Sequence, residues 1–397
     1  MEAGPLRVRP PWECVKWITE SKSHSLFEYK PSWAGWKEEP HTELNNLKRQ
    51  IDVLEENGTW EFRKKLANPY ELVYTHEDRN MPICLAKAKP LSRSYFKMIE
   101  ILNLVDFFNR FAKAGPIRSA HACEGPGGFI QALTERCQQE YVTHEFALAM
   151  SLRPTNSQIP GWKRAIPFLK KNPQVKILYG ADDTGDIYNL ENQAFLSRAI
   201  GTKKVHLFTA DGGFDFKMDY MRQEQIAFRL IVASFATGFQ LLATKGVIVI
   251  KLFDVYSRAS MELLSYVGSF FKEWTLYKPA ISRPCNAERY FIGIGFRGHT
   301  DSAQAFFDGL QRDLATKPIS DLESLLGEQA PESFDYIQVF QNETETLQIN
   351  TIKKAISLNM DDRHTYWRDS YIAAEEWCRQ FKVRWRESLR VMTNPNY

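Results

Sequence analysis

Ser119-Ala-His-Ala-Cys-Glu-Gly-Pro-Gly-Gly-Phe-Ile130 decides the fold. Residues 117–123 read as a short buried strand, an acid and a glycine cluster follow, and Phe129-Ile-Gln-Ala-Leu133 opens a helical pattern. Strand, glycine turn and helix together make the nucleoside cradle of doubly wound α/β folds, where a ligand sits near a helix N-terminus. Gly125-Pro-Gly-Gly128 departs from the strict G-x-G-x-x-G phosphate fingerprint, and Glu124 would repel a pyrophosphate. An acid there suits a ligand with a cationic or hydroxyl-rich part. That favours S-adenosylmethionine over NAD.

Outward from this turn, strand and helix signals alternate. Residues 117–123, 145–150, 175–179, 205–210, 246–252 and 290–296 read as strands, and 223–242 as the clearest helix. Such alternation predicts a mostly parallel sheet with helices on both faces and ligands at the carboxyl ends of the strands. The segment 290–296 reads as an antiparallel edge strand. Three segments follow: an N-terminal extension over 1–75, the α/β domain over 76–300, and a helical C-terminal extension over 301–397. The tryptophans of the first segment (Trp12, Trp17, Trp33, Trp36, Trp60) read as core residues rather than base-stacking platforms.

Composition sets the bounds. A chain of 397 residues with 44% hydrophobic and 25% charged residues is globular in character. No apolar run reaches bilayer length, no apolar signal-peptide core follows the N-terminus, and no membrane partner is expected. Six cysteines without a C-x-x-C pair suggest neither zinc nor a disulfide framework, and no metal is expected. A net charge of +3 permits a nucleic-acid partner without arguing for one.

Four polar residues fall where such a sheet would gather them. Lys97 lies in a helical stretch, and Asp211 ends one strand. Lys251 ends the most apolar strand, and Glu288 precedes the last. Mutual charge pairing explains them without any function. The functional reading gives Lys251 the proton of an attacking hydroxyl. Lys97 and a bound cation would lower its pKa, while Asp211 and Glu288 oppose them.

With Cys-Glu-Gly-Pro-Gly-Gly-Phe at 123–129, Ala-Asp-Gly-Gly-Phe at 210–214 and the order Lys97, Asp211, Lys251, Glu288, the chain resembles the FtsJ-type (RrmJ-like) ribose 2′-O-methyltransferases. Within them it is most similar to the eukaryotic and viral mRNA cap 2′-O-methyltransferases. Asn68-Pro-Tyr-Glu71, Gly180-Ala-Asp-Asp-Thr-Gly-Asp-Ile187 and Gln223-Glu224 add to the likeness, which covers roughly residues 60–298. The resemblance implies a Rossmann-like methyltransferase sheet, S-adenosylmethionine as cofactor, S-adenosylhomocysteine as product, and capped mRNA as partner. Capping or transcription machinery would be a further partner. The location would be the nucleus for a cellular protein and the cytoplasm for a viral one. It implies Lys251 as catalytic base or orienter, held with the 2′-OH by Lys97, Asp211 and Glu288. The cofactor contacts would be Ser92 (often asparagine in cap enzymes), Cys123, Glu124, Gly125, Pro126, Gly127, Gly128, Phe129, Asp183, Asp186, Ile187 and Asp211. Without the family, Asp182, Asp183 and Asp186 read as a solvated turn.

Arg63, Arg93, Phe214 and Asn286 are the RNA-contact candidates, with Trp60, Phe62 or Tyr70 available to stack on a base. Competing readings are a ribose methyltransferase of rRNA or tRNA, an inactive RNA-binding or capping-partner module, and a nicotinamide oxidoreductase. Chain length and Asn68-Pro-Tyr-Glu71 favour the cap enzyme over the first, the complete tetrad disfavours the second, and Glu124 disfavours the third.

Overall fold

A computed structural model describes residues 9–19, 27–36, 41–75, 83–155, 161–213, 222–327 and 331–386. Phe214 lies outside these residues. The strands are β1 (Ile18–Thr19), β2 (Ile117–Ala122), β3 (His144–Met150), β4 (Val175–Leu178), β5 (Val205–Ala210), β6 (Leu242–Leu252), β7 (Glu273–Tyr277) and β8 (Arg289–Ile294). They form one sheet in the order β1-β7-β8-β6-β5-β2-β3-β4. The run from β6 to β4 is parallel, whereas β8 is antiparallel to β6 and β7, and β1 is antiparallel to β7.

The order reverses between β5 and β2, which places a ligand crevice at the ends of those strands. One expectation needs correction. β8 is antiparallel but internal, because β7 pairs along its outer side and β1 closes that edge. Glu-Trp-Thr-Leu-Tyr of β7 is buried from its second residue on, so its sequence lacks the polar–apolar alternation that marks a half-exposed strand.

The helices, in chain order, begin with α1 (Thr42–Glu56), α2 (Trp60–Ala67), α3 (Ser94–Leu104), α4 (Phe107–Arg110), α5 (Gly128–Gln139) and α6 (Ile166–Lys171). They continue with α7 (Leu190–Ile200), α8 (Gln223–Leu241), α9 (Arg258–Gly268), α10 (Asp301–Thr316), α11 (Phe334–Ser357) and α12 (Arg363–Gln380). On one face α8 lies close to the sheet: a Cβ on Gly238 would sit 2.7 Å from Ile248 and Phe208. Phe239 of α8 then packs edge-on to Phe270, Phe296 and Phe307, which brings α10 into the same core. On the other face α3 and α5 cover the sheet, with α2, α11 and α12 outside them.

Both extensions share these cores. Trp60 is buried, and the other N-terminal tryptophans pack half-buried against the two clusters, as their reading as core residues required. Arg63 donates to the carbonyls of Ala355, Ile356 and Leu358, supplying the orphan acceptors at the end of α11. Glu100 of α3 accepts from Tyr277, from Trp377 Nε1 at 2.9 Å and from the Ala280 amide at 2.7 Å, fastening α12 to the sheet.

Burial pushes Glu100 up to about 7, against the hydrogen bonds from Tyr277, Trp377 and the Ala280 and Ile281 amides. The folded state therefore holds this proton more tightly than the unfolded chain. The associated stabilisation is complete below the ordinary carboxylate range and is lost as pH rises through about 7. Thermal melts from about pH 5 to about pH 8 should show the melting temperature falling, with a flatter slope in Glu100→Gln. Identical slopes would contradict the assignment.

Candidate active site

The turn after β2 is built for close packing. Cys123 (φ 56°) and Gly127 (φ 99°) are left-handed, and Gly128 opens α5. The amides of Glu124 and Gly125 donate to Ser151 Oγ at 3.0 and 3.3 Å, tying the turn to the end of β3. A Cβ on Gly127 would lie 2.8 Å from the Trp162 ring, and one on Gly128 would lie 2.2 Å from Ser94 Oγ. A side chain at either position would therefore run into its neighbours.

A cavity of about 580 Å³ opens beside this turn, lined by Ser92, Cys123, Gly125, Pro126, Asp186, Ile187 and Asp211, among others. The remaining expected cofactor residues stand elsewhere. Phe129 is buried against Tyr290, and Gly127 and Gly128 serve the packing. Asp183 is exposed and paired with Arg153. Glu124 turns inward: its Oε1 accepts from Thr209, whose hydroxyl meets His121 Nδ1 at 2.8 Å, and His121 Nε2 meets Ser119 Oγ at 2.8 Å. Burial first, then Asp211, raise the Glu124 carboxyl well above its ordinary value. Its Oε2 is buried and has no hydrogen-bond partner among the described residues.

The cavity suits S-adenosylmethionine. The Asp186 and Asp211 carboxylates can accept from hydroxyl or amino donors, and Ile187 and Leu230 offer apolar surface to a base. Asp182 organises the loop over 180–189 by accepting from Thr184, Asn189 and Asn192.

The four charged residues converge as two ion pairs at the strand ends. Lys251 Nζ donates to the Asp211 carbonyl at 2.6 Å and lies 3.3 Å from its Oδ1. Lys97 Nζ lies 2.6 Å from Glu288 Oε1. Burial alone would drive Lys251 toward the neutral amine, but Asp211 and Glu288 raise it above its ordinary value. The expectation of a lowered Lys251 is thus reversed in the protein by itself, because the acids outweigh burial. Burial likewise opposes charge on Glu288, yet Lys97 and Lys251 hold its carboxyl well below the usual range.

Lys251 and Gly213 line a second cavity as well, of about 410 Å³, together with Glu288, Asn286, Trp60 and Gln348. Asn286 is therefore at the site, and Trp60 is the one of the three aromatic candidates that reaches this cavity. Phe62 packs on Trp367, and Tyr70 packs on Trp12. Arg63 and Arg93 are held by backbone carbonyls, and Arg93 also lines the 580 Å³ cavity. Arg63 caps α11, and Arg93 donates to the carbonyls of Ile281 and Tyr74 beside Glu71.

Several supporting residues escaped the sequence reading. Tyr290 donates to Asp211 Oδ1 at 2.8 Å, and Ser282 donates to Glu288 Oε1 at 2.8 Å. Lys278 Nζ donates to Asn286 O, Asn286 Oδ1 and Glu288 O at 2.7, 3.1 and 2.9 Å, holding the loop that carries Glu288. Arg283 grips Glu71 with two bonds of 3.0 and 2.8 Å, which joins Asn68-Pro-Tyr-Glu71 to the same loop. A polar residue beside an expected site residue was the available signal. Each partner is distant from its target along the chain or faces it only through the fold.

The FtsJ-like methyltransferase family matches residues 90–296, just over half of the chain. The chain belongs to the FtsJ-like methyltransferase family. It is 28% identical over 299 residues to cap-specific mRNA (nucleoside-2′-O-)-methyltransferase 1 of Trypanosoma cruzi, covering 72% of this chain and 80% of that one. A probable methyltransferase of African swine fever virus is 29% identical over 221 residues, covering 52% and 49%. Cap-specific mRNA (nucleoside-2′-O-)-methyltransferase 2 of Danio rerio is 25% identical over 357 residues, covering 86% and 46%. The chain thus spans about half the length of the latter two. The family match starts at residue 90, just ahead of Lys97, and ends just past β8, so all four charged residues of this FtsJ-like enzyme fall inside it. Among the described residues no helix is long and apolar enough to cross a membrane.

Gly127→Val should lower the melting temperature by several degrees, since the branched side chain meets Trp162 in a left-handed backbone position. An unchanged melt with lost cofactor affinity would instead put the ligand, not Trp162, against Gly127.

Proposed function

We propose that this enzyme transfers the methyl group of S-adenosylmethionine to a ribose 2′-OH near the 5′ end of capped mRNA. One observation carries the reading: Lys251 forms a wall of both the 580 Å³ cavity beside the glycine turn and the 410 Å³ cavity beyond it. A donor in the first and an acceptor hydroxyl in the second would meet at one ammonium. The names of the Trypanosoma cruzi and Danio rerio relatives support the capped substrate.

The cofactor, when bound, supplies an electrophilic methyl group on a cationic sulfur. The residues of the chain do the rest. Lys251 orients the 2′-oxygen, and Asp211, itself held by Tyr290, fixes Lys251. Glu288, clamped by Lys97 and Ser282, closes the other side of the hydroxyl. Transfer then depends chiefly on holding the oxygen in line with the methyl carbon. A cation in the adjoining cavity opposes Asp211 and Glu288, so it moves Lys251 back toward the amine that can take the hydroxyl proton.

Tritium transfer from labelled S-adenosylmethionine to matched capped and uncapped short RNAs tests this. Label should appear only on the capped RNA and fall by about 100-fold or more in Lys251→Ala. Equal label on both RNAs would reassign the substrate to internal RNA, and full turnover in the variant would remove Lys251 from the mechanism. A second measurement reads the charge balance. Glu288→Gln removes one of the groups that raise Lys251, so the rising limb of its residual pH–rate profile should shift to lower pH. A shift upward would contradict the pairing.

A further inference from the structure

A third cavity, of about 480 Å³, lies where α3 and α5 meet the segment that follows α12. It shares no lining residue with the two cavities at Lys251. Its charges do not balance. Lys87, Arg136, Lys382 and Arg384 line it against one carboxylate, Glu135. Both oxygens of Glu135 are taken, by Gln131 Nε2 at 2.9 Å and by the Tyr95 hydroxyl at 2.7 Å. Lys87, Lys382 and Arg384 are exposed, and none of their charged groups has an acidic partner among the described residues. Backbone pairing forces two of them together. The Ala86–Trp385 antiparallel bridge, with the Lys87 amide donating to the Arg384 carbonyl at 2.9 Å, sets Lys87 opposite Arg384. Like charges directly opposite across such a pairing destabilise it. An anion between them removes that cost. Arg136 deepens the imbalance. It is 6% exposed, donates to the Phe381 carbonyl and forms no ion pair among the described residues. Burial pushes its guanidinium down, and Tyr95 and Glu140 offset that only in part.

We propose that this cavity binds a phosphoryl group, gripped by Lys87, Lys382 and Arg384, with the buried charge of Arg136 behind it. Cations entering from two segments suit a tetrahedral anion, whose oxygens face several directions, better than a flat carboxylate. Direct contacts fall to the three exposed side chains, and Arg136 adds its field through a wall that water does not screen. Two sources carry this chemistry: a phosphate of an RNA backbone, or a free phosphate-bearing molecule. RNA at the cleft is within reach, because Lys87 and Ser92 of the cofactor cavity are separated by at most about 18 Å of chain. The site stands whether or not the methyl acceptor is a capped RNA.

Thermal melts of the full chain in sodium phosphate and in sodium chloride, at equal pH and ionic strength, test the site. Phosphate strengthens folding in general, so the quantity read is the gain of wild type beyond that of Lys87→Met/Arg384→Met. That difference should be about 2 °C or more, and Lys87→Arg/Arg384→Lys should keep the wild-type gain. In chloride the methionine variant should melt no lower than wild type, because the opposed charges are gone. Lys170→Met/Lys171→Met removes the same charge from exposed positions on α6 and should behave as wild type. A second arm names the source, through the affinity for an uncapped RNA of about ten nucleotides across salt concentrations. A slope of log K on log salt flatter by about 0.7 per lost contact, in Lys87→Met/Arg384→Met alone, assigns the RNA backbone. An unchanged slope with the phosphate gain present assigns a free phosphoryl group. If neither arm separates wild type from Lys87→Met/Arg384→Met, or the α6 variant changes equally, the proposal is overturned.

Discussion

Lys251 sits in a place that physics makes expensive. Its ammonium lies at the end of β6, between strands that are apolar almost throughout, and the Asp211 carbonyl and carboxylate, with Glu288 and Glu124 nearby, make its charge tolerable. Much of the surrounding structure follows from that requirement. Tyr290 fixes Asp211 from β8, Lys97 and Ser282 fix Glu288, and Lys278 and Arg283 hold the loop on which Glu288 rides. A buried charge network that is fully paired keeps one geometry, and methyl transfer needs one geometry more than it needs a strong base.

The glycine turn and the extensions serve the same end by packing. Gly127 and Gly128 let Trp162 and the start of α3 close on the turn, so the cavity wall is rigid where the cofactor would lie. Arg63 and Trp377 bind the extensions to the central sheet through α11 and Glu100. α11, which follows the matched span of 90–296, thereby becomes a wall of the second cavity instead of an appendage.

How much of this could be read beforehand depends on whether an interaction is local. The strand–glycine–helix unit at 117–133 is local, and β2, β5 and α8 fall within a residue of their expected positions. Lys97, Asp211, Lys251 and Glu288 were legible because each sits at a strand or helix end that the topology must bring together. β7 was not legible, since a strand buried on both faces loses its alternation. The carbonyl contacts of Arg63 and Arg93 were not legible, because a guanidinium near a site looks the same in sequence whether it meets phosphate or backbone carbonyls. Tyr290 offered only its place beside Glu288, as its partner Asp211 is set by tertiary contacts alone.

The central claim is that Lys251 stands between donor and acceptor. A crystal structure with S-adenosylhomocysteine and a short capped RNA would test it most directly. The account predicts the cofactor product in the cavity lined by Asp186 and Asp211, with a ribose 2′-oxygen within hydrogen-bond distance of Lys251 Nζ. A ribose bound away from Lys251, or a product outside that cavity, would contradict it.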